Sequence, residues 1–350
     1  MGIEYLGHKR NILDFIMNNV SVGHRVHIAD LFSGSGSVSA AFKRAGCKVS
    51  ANDNLEWCAV LARAILFNSG PPRFKGLESE LELGSLNPKA RYLKVLEAMN
   101  ATKGSIGFVT RTYSPLSAEF CEHSRQYFTI KNARKIDGIR SQIRKWTPLL
   151  STGELNLLIS DLILAANAVS NIAGTYGCYL KSWKSRALHS LGLIPSEFVP
   201  GREHSHAVTC LDAAEIAGSL DCSVVYADPP YTKRQYAAYY HVLETIALGD
   251  SPEVSGSTGL RSWREKASAY CLKRTAPGAL AGLVASLSCE DFFLSYSEDG
   301  QIRHDTVMEI LGDWGTVEYF ELEHKRYKSS TLPHKGASVK ERLYHLKVSN

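Results

Sequence analysis

From Val224 to Tyr231 the chain reads Val-Val-Tyr-Ala-Asp-Pro-Pro-Tyr. The apolar, β-branched run predicts a buried strand, and the two prolines end it, because neither strand nor helix continues through them. Asp228 and Tyr231 are thereby held at the carboxyl end of a core strand, where open α/β sheets bind ligands. An exocyclic amine whose lone pair is conjugated into a ring is a weak nucleophile. It becomes a better one when its N–H groups donate to fixed acceptors. The Asp228 carboxylate and the Pro229 carbonyl are two such acceptors, and Pro229 and Pro230 fix the φ angles that align them. Tyr231 offers a face on which a flat base can stack. A base inside a duplex cannot reach such a site, so the base must be flipped out.

A second set of residues lies upstream. Val26 to Val38 predicts a strand, a Gly34-Ser-Gly36 turn and a helix start. Glycines there let a ligand approach backbone, and the helix N-terminus offers free N–H groups. The third glycine of a dinucleotide fingerprint is missing, and Asp30 precedes the turn. An acid at that point suits a cationic group, such as the amine of an amino acid, better than a pyrophosphate. The next strand ends near Asp53, 19 residues after Gly34, the offset of an acid that binds ribose hydroxyls. Asp30, Gly34, Gly36 and Asp53 together point to S-adenosylmethionine. Lys9, beside Gly7, is a candidate partner for a ligand carboxylate. Asp212 follows a short strand, 206–211, and suits either the cofactor or a helix N-cap.

Those residues need a sheet to carry them. Strand patterns at 47–51, 206–211, 223–227, 291–296, 317–323 and 342–348 join the first strand, with helices at 38–45 and 305–313 among the connections. Between 84 and 201 the pattern turns helical. Ile136, Ile139, Ile143 and Trp146 share one helix face, and 155–173 reads as an apolar core helix. Arg111 to Pro115 reads as a turn. From Arg125 to Trp146 there are seven Lys/Arg against one acid. Arg134, Lys135, Arg140 and Arg144 therefore form a candidate phosphate-contacting face. Lys181 and Lys184, flanking Trp183, form a second cluster. Lys325, Arg326 and Lys328 open a third, since 325–340 holds five Lys/Arg and no acid. The stretch 249–263 reads as a Gly/Ser-rich loop.

The net charge of +5 is mildly basic, and 44% hydrophobic with 21% charged residues is ordinary globular composition. Eight cysteines include no C-x-x-C pair, so zinc-site spacing is absent and no metal is expected. No secretory leader or membrane span is predicted, which gives a cytoplasmic expectation.

Tyr5-Leu-Gly7-His-Lys9, Asp30-Leu-Phe32-Ser-Gly34-Ser-Gly36, Asp53 and Asp228-Pro229-Pro230-Tyr231, in that order, resemble the Dam-like, alpha-class DNA adenine-N6 methyltransferases. One departure is Thr232, where many relatives carry Asn. The resemblance implies an α/β, Rossmann-like fold of seven strands with an antiparallel last hairpin. It implies a discontinuous catalytic domain, 1–83 with 202–350, and a helical target-recognition insertion, 84–201. It adds Tyr5 and Phe32 to the cofactor residues, and Tyr236, Tyr240 and His241 as candidates for the base pocket. The expected activity is methyl transfer from S-adenosylmethionine to N6 of adenine in double-stranded DNA. The alternatives are N4-cytosine or RNA adenine methylation, or a non-catalytic DNA-binding relative. The setting would be a prokaryotic or phage-infected cell, as an orphan enzyme or beside a separately acting restriction endonuclease, as a monomer or weak dimer.

Overall fold

The computed structural model describes residues 9–20, 22–23, 26–201, 205–325 and 338–349. Tyr5, Arg326 and Lys328 lie outside them. In chain order the elements that matter are β1 (His27–Asp30), α1 (Ser37–Arg44), β2 (Lys48–Asn52) and α2 (Glu56–Leu66). Then come α3 (Pro88–Ala101), α4 (Phe108–Tyr113), α5 (Ile130–Trp146) and α6 (Thr152–Ala168). The chain continues with β3 (Ala207–Thr209), α7 (Ala213–Ala217), β4 (Val224–Ala227), α8 (His241–Leu248), β5 (Asp291–Ser297), β6 (Gly315–Lys325) and β7 (Ser338–Val348).

These residues group into two compact units. One spans Gly7–Leu55, Gly201–Tyr236 and Lys266–Asn350 and contains the whole seven-stranded sheet. Its strand order is β3-β2-β1-β4-β5-β7-β6. β1 pairs in parallel with both β2 and β4, and β4 with β5, while β7 runs antiparallel to β5 and β6. All four residues of β4 are buried, as a central strand covered on both faces requires. Beneath it Val225, Ala227, Phe292 and Leu294 pack with Leu280, Leu283 and Val284. The chain order reverses between β1 and β4. The carboxyl ends of these two strands therefore flank the switch point, where a ligand crevice forms. Asp30 on β1 lies opposite Tyr226 on β4, so Asp30 and Asp228 leave the sheet at the same edge.

The other unit is helical and holds Glu56–Pro200 and Ala237–Glu265. Composition suggests 84–201 for such a region, whereas compact packing also gathers in α2 and α8. The reason is visible in one contact. Glu244 on α8 accepts hydrogen bonds from the Glu56 and Trp57 amides at 3.1 Å and so caps the start of α2. Ile136, Ile139, Ile143 and Trp146 are buried, as their spacing predicts. α6 is buried almost all round and is entered through a capping box, with Ser151 and Glu154 each bonding the other's backbone amide. It ends at Ala168, short of the predicted 173. Arg111 to Tyr113 is the last turn of α4, not a turn between elements. Asp137 on α5 makes that helix possible by accepting from the Gly107, Val109 and Thr110 amides at 2.8–3.0 Å. The 249–263 stretch carries a short hairpin, Val254–Ser255 against Leu260–Arg261.

Candidate active site

The sheet unit brings Lys9, Asp30, the glycine turn, Asp53 and the Asp228 tetrad together within one packed body. Gly34 and Gly36 hold φ of 49° and 74°, the left-handed region where a side chain is strained. Gly36 is the N-cap residue of α1. The turn is tied down from the next strand. Gly34 N donates to Asp53 Oδ2 at 2.8 Å, and Leu55 N donates to Asp53 Oδ1 at 3.0 Å. Asn52, which motif reasoning missed, accepts from Leu211 N and Thr209 Oγ1 and donates to the Leu31 and Leu211 carbonyls. It fastens the ends of β1, β2 and β3 to one another.

Asp30 is buried, and Ser39 on α1 donates to its Oδ2 at 2.5 Å. Its Oδ1 is buried without a hydrogen bond of ordinary geometry among the described residues, and so is Ser33 Oγ. Burial pushes the Asp30 carboxyl up to about 7, against the Ser39 hydrogen bond, and Asp53 adds to the rise. A buried acceptor whose nearest donors, the Phe32 and Ser39 amides, are poorly aligned is left under-satisfied, which costs free energy. An ammonium arriving at Asp30 would satisfy that acceptor and favour the carboxylate. The residues present thus fit an aminoacyl ligand at Asp30 with backbone contacts along the Gly34–Gly36 turn. Phe32 is partly buried against the core and meets Tyr270 edge-on, with ring centroids 5.5 Å apart. Asp212 is the N-cap of α7, accepting from Ala214 N at 2.9 Å, so the helix-cap alternative describes its visible bond.

At the tetrad, Lys9 takes a place that sequence reasoning did not assign. Its Nζ lies 3.0 Å from Asp228 Oδ1 and also pairs with Glu341 Oε1. It stands 5.3 Å from the centre of the Tyr231 ring. The Ser295 hydroxyl donates to the same Glu341 oxygen at 3.0 Å. Burial alone would lower the Lys9 ammonium, but Asp228 and Glu341 hold it charged well above the ordinary lysine range. For Asp228, burial raises the carboxyl and Lys9 lowers it. Glu341 and Asp30 raise it again, leaving it at about 7. The Asp228 side chain is 16% exposed, against 5% for Lys9 and 4% for Glu341, so only the aspartate is open to approach. Tyr231 is half-buried with its ring edge-on to Tyr296 at 6.0 Å, and burial pushes its hydroxyl up to about 12. Glu341 carries no motif. It could have been found only by knowing that an antiparallel strand returns its first residues to the carboxyl edge of β4 and β5.

The helical unit gives several basic residues structural work. Lys135 Nζ donates to the Asn100 and Thr102 carbonyls at the end of α3. Arg140 donates to the Ile246 and Ala247 carbonyls at 3.0 and 2.7 Å, and Arg144 to Gly249 O. These cations thus close the C-termini of α3 and α8, where the helix dipole favours positive charge. Arg134 and Lys181 stay exposed, and Lys184 is half-buried with its amide bonded to Asn171 Oδ1. Lys325 ends β6. Tyr240 and His241 are fully buried inside this unit. Tyr240 packs on Trp57, and His241 sits between Tyr113 and Tyr127, where burial lowers its imidazole to about 3. They are core residues, the alternative their helical spacing allows.

A switched parallel sheet, a glycine turn tied to Asp53 and an Asp-Pro-Pro-Tyr corner at the sheet's carboxyl edge are the features of a Rossmann-like methyltransferase fold. The chain belongs to the D12 class of N6 adenine-specific DNA methyltransferases, whose family model matches residues 5–298. It is 35% identical to the type II methyltransferase M.FokI of Planomicrobium okeanokoites over 93% of the chain and 50% of that protein. It is 32% identical to the modification methylase StsI of Streptococcus sanguinis over 98% of the chain and 52% of that protein. The type II methyltransferase M.NlaIII of Neisseria lactamica is 31% identical over 98% of the chain and 99% of its own length. The chain therefore spans about half the length of the first two relatives and nearly all of the third. Among the described residues no helix is long and apolar enough to cross a membrane.

Proposed function

We propose that this site transfers a methyl group from S-adenosylmethionine to N6 of an adenine flipped out of double-stranded DNA. The observation that carries the reading is the placement of Asp228. It is the partly open acid at the carboxyl end of β4, across the switch point from Asp30 with its under-satisfied buried oxygen. S-adenosylmethionine, when bound, supplies an electrophilic methyl group on a sulfonium. Asp30 would take its ammonium, the Gly34–Gly36 backbone would lie along its aminoacyl part, and Asp53 would face its ribose. Asp228 orients the target amine by accepting one N–H, and the Pro229 carbonyl accepts the other. Tyr231 stacks the base. The acceleration comes from positioning and fixed acceptors, not from removal of a proton beforehand, since a carboxylate is too weak a base for a neutral aromatic amine.

The helical unit is the natural carrier of target recognition, with Arg134, Lys181 and Lys184 as candidate phosphate contacts. Relatives named as type II methyltransferases and modification methylases support a place in a restriction–modification system. Incubation with tritiated cofactor and unmodified genomic DNA, followed by nucleoside analysis, tests the reading. N6-methyladenine is expected; N4-methylcytosine would move the chain to the sister chemistry, and no methylated base at all would refute the proposal. Asp228→Ala should abolish turnover while cofactor affinity stays within about threefold, because a residue that acts on the amine contributes little to uniform binding.

A further inference from the structure

Glu341 lies beyond the residues matched by the family model, which end at 298. It is nonetheless among the most buried charged groups of the sheet unit. β7 runs antiparallel to β5, with Glu341 opposite Ser297 and Leu343 opposite Ser295. An antiparallel strand enters the sheet at the edge where parallel strands leave it. The first part of β7 therefore delivers Glu341 to the edge that carries Asp228. There one ammonium, Lys9, is shared between two carboxylates, Asp228 and Glu341.

The sharing has a chemical meaning. The Lys9 ammonium donates to Asp228 Oδ1 at the place where a substrate amine needs an acceptor. Both are N–H donors competing for the same carboxylate. A buried ammonium that gave up Asp228 with nothing else to bind would carry a large desolvation penalty. Glu341 removes that obstacle because Lys9 is already bonded to it, and Ser295 fixes the orientation of the Glu341 carboxylate.

We propose that Glu341 is a positioning residue that retains the Lys9 ammonium so that Asp228 can exchange it for the amino group of the substrate base. This rests on the amino-group methylation reading above. Lys9 is then a placeholder that keeps the acceptor oriented and paired until the base arrives. The ammonium moves between two carboxylates without leaving the buried cluster. The titratable groups that face the cluster are Tyr226 and Asp228 from β4 and its corner, Tyr231, Asp30 from β1, and Glu341 from β7.

The test is Glu341→Gln, read first on the free protein by following the Asp228 carboxyl carbon through a pH titration by NMR. Glutamine keeps the shape and one acceptor oxygen for Lys9 and Ser295 but removes the negative charge. Loss of a like charge and concentration of Lys9 on Asp228 both favour the carboxylate, so the Asp228 titration should fall by about one pH unit. The acid limb of kcat/KM for DNA should move down with it. Above that limb kcat/KM for DNA should drop about tenfold while KM for the methyl donor stays within about twofold, because only the exchange with the substrate amine is impeded. An unmoved Asp228 titration in a folded Glu341→Gln protein overturns the proposal, and so does a loss shared equally by both substrates. Should the glutamine variant not fold, Glu341→Asp withdraws the charge by one methylene; a smaller shift in the same direction is expected, and no shift overturns the proposal. The titration is independent of turnover, so a wild-type protein that failed to methylate adenine would remove the activity reading alone.

Discussion

Arg140 decides between two views of the basic helix α5. As a phosphate contact it would change DNA affinity and leave folding alone. The structure instead directs its guanidinium to the Ile246 and Ala247 carbonyls at 3.0 and 2.7 Å, beneath Gly249, which closes α8 at φ 62°. A Cβ on Gly249 would come within 2.5 Å of Arg140 Nε, so guanidinium and helix end are in direct contact. Burial and the neighbouring Arg144 lower Arg140 to about 10, which means the surroundings are not especially kind to its charge. The carbonyls are what hold it there. Hydrogen bonds to a charged group contribute roughly 1.5–3 kcal/mol, and a cation at a helix C-terminus adds about 0.3–1 kcal/mol. Arg140→Met should therefore destabilise the protein by about 3 kcal/mol in urea unfolding, and the salt dependence of DNA binding should not change. Arg134→Ala is the contrasting variant. Its side chain is exposed, so stability should stay within about 0.5 kcal/mol. If it meets a phosphate, the slope of log K against log salt should shrink by about 0.9. An Arg140→Met protein with unchanged stability and a slope reduced by about 0.9 would show that the carbonyl contacts do not hold the helical unit together.

Two further outcomes follow from buried groups elsewhere. Asp161 is 2% exposed, accepts from the Tyr92 and Ser196 hydroxyls at 2.6 Å, and is pushed by burial from 3.8 up to about 7. The folded state then keeps a proton that the unfolded chain releases, so this contribution is full below the unfolded value and is lost as pH rises to about 7. At about 1.36 kcal/mol per unit, the stability of Asp161→Asn relative to wild type should improve by on the order of 4 kcal/mol from pH 4 to 7.5; a pH-independent difference in urea unfolding would contradict this. Gly36→Ala places a Cβ at φ 74° and should cost about 1–2 kcal/mol locally. Calorimetry with S-adenosylmethionine should show affinity weakened by roughly tenfold at unchanged helix content, and undiminished affinity would mean the turn does not touch the ligand.

Much of the sheet was legible because its signals are local. Val224–Ala227 is continuously apolar and two prolines end it. Gly34 and Gly36 have a backbone reason to be glycine, and Asp53 stands at a fixed offset. The Asp30–Asp53 pair is coherent because β1 and β2 are adjacent in sequence and in space. What escaped was set by distant partners. In sequence Lys9 looks free to meet a ligand carboxylate, because nothing near it reveals that residues 228 and 341 close around it. Lys135, Arg140 and Arg144 of α5 look in sequence like part of a phosphate surface, because charge density along a helix does not say which side chains reach the carbonyl ends of neighbouring helices. His241 follows Tyr240 soon after the tetrad, and only the packing of Tyr113 and Tyr127 makes it a core residue. Glu341 had no local signal at all.

The interleaving of the two units has a consequence for synthesis on the ribosome. α2, near the start of the helical unit, is capped by Glu244, and α5 is bound through Arg140 and Arg144 to the end of α8. A nascent chain that has reached Pro200 holds α2 without its cap and α5 with Arg140 and Arg144 still lacking their carbonyls. The sheet waits longer, since its central β4 and β5 are joined to β6 only through β7. Neither unit can close in the order in which it is made, and the exposed edge of β5 is open to wrong pairing until residue 338 emerges. The strand that brings Glu341 to Asp228 is thus also the one that ends this interval: the edge that carries Asp228 and the finished sheet are completed by the same event.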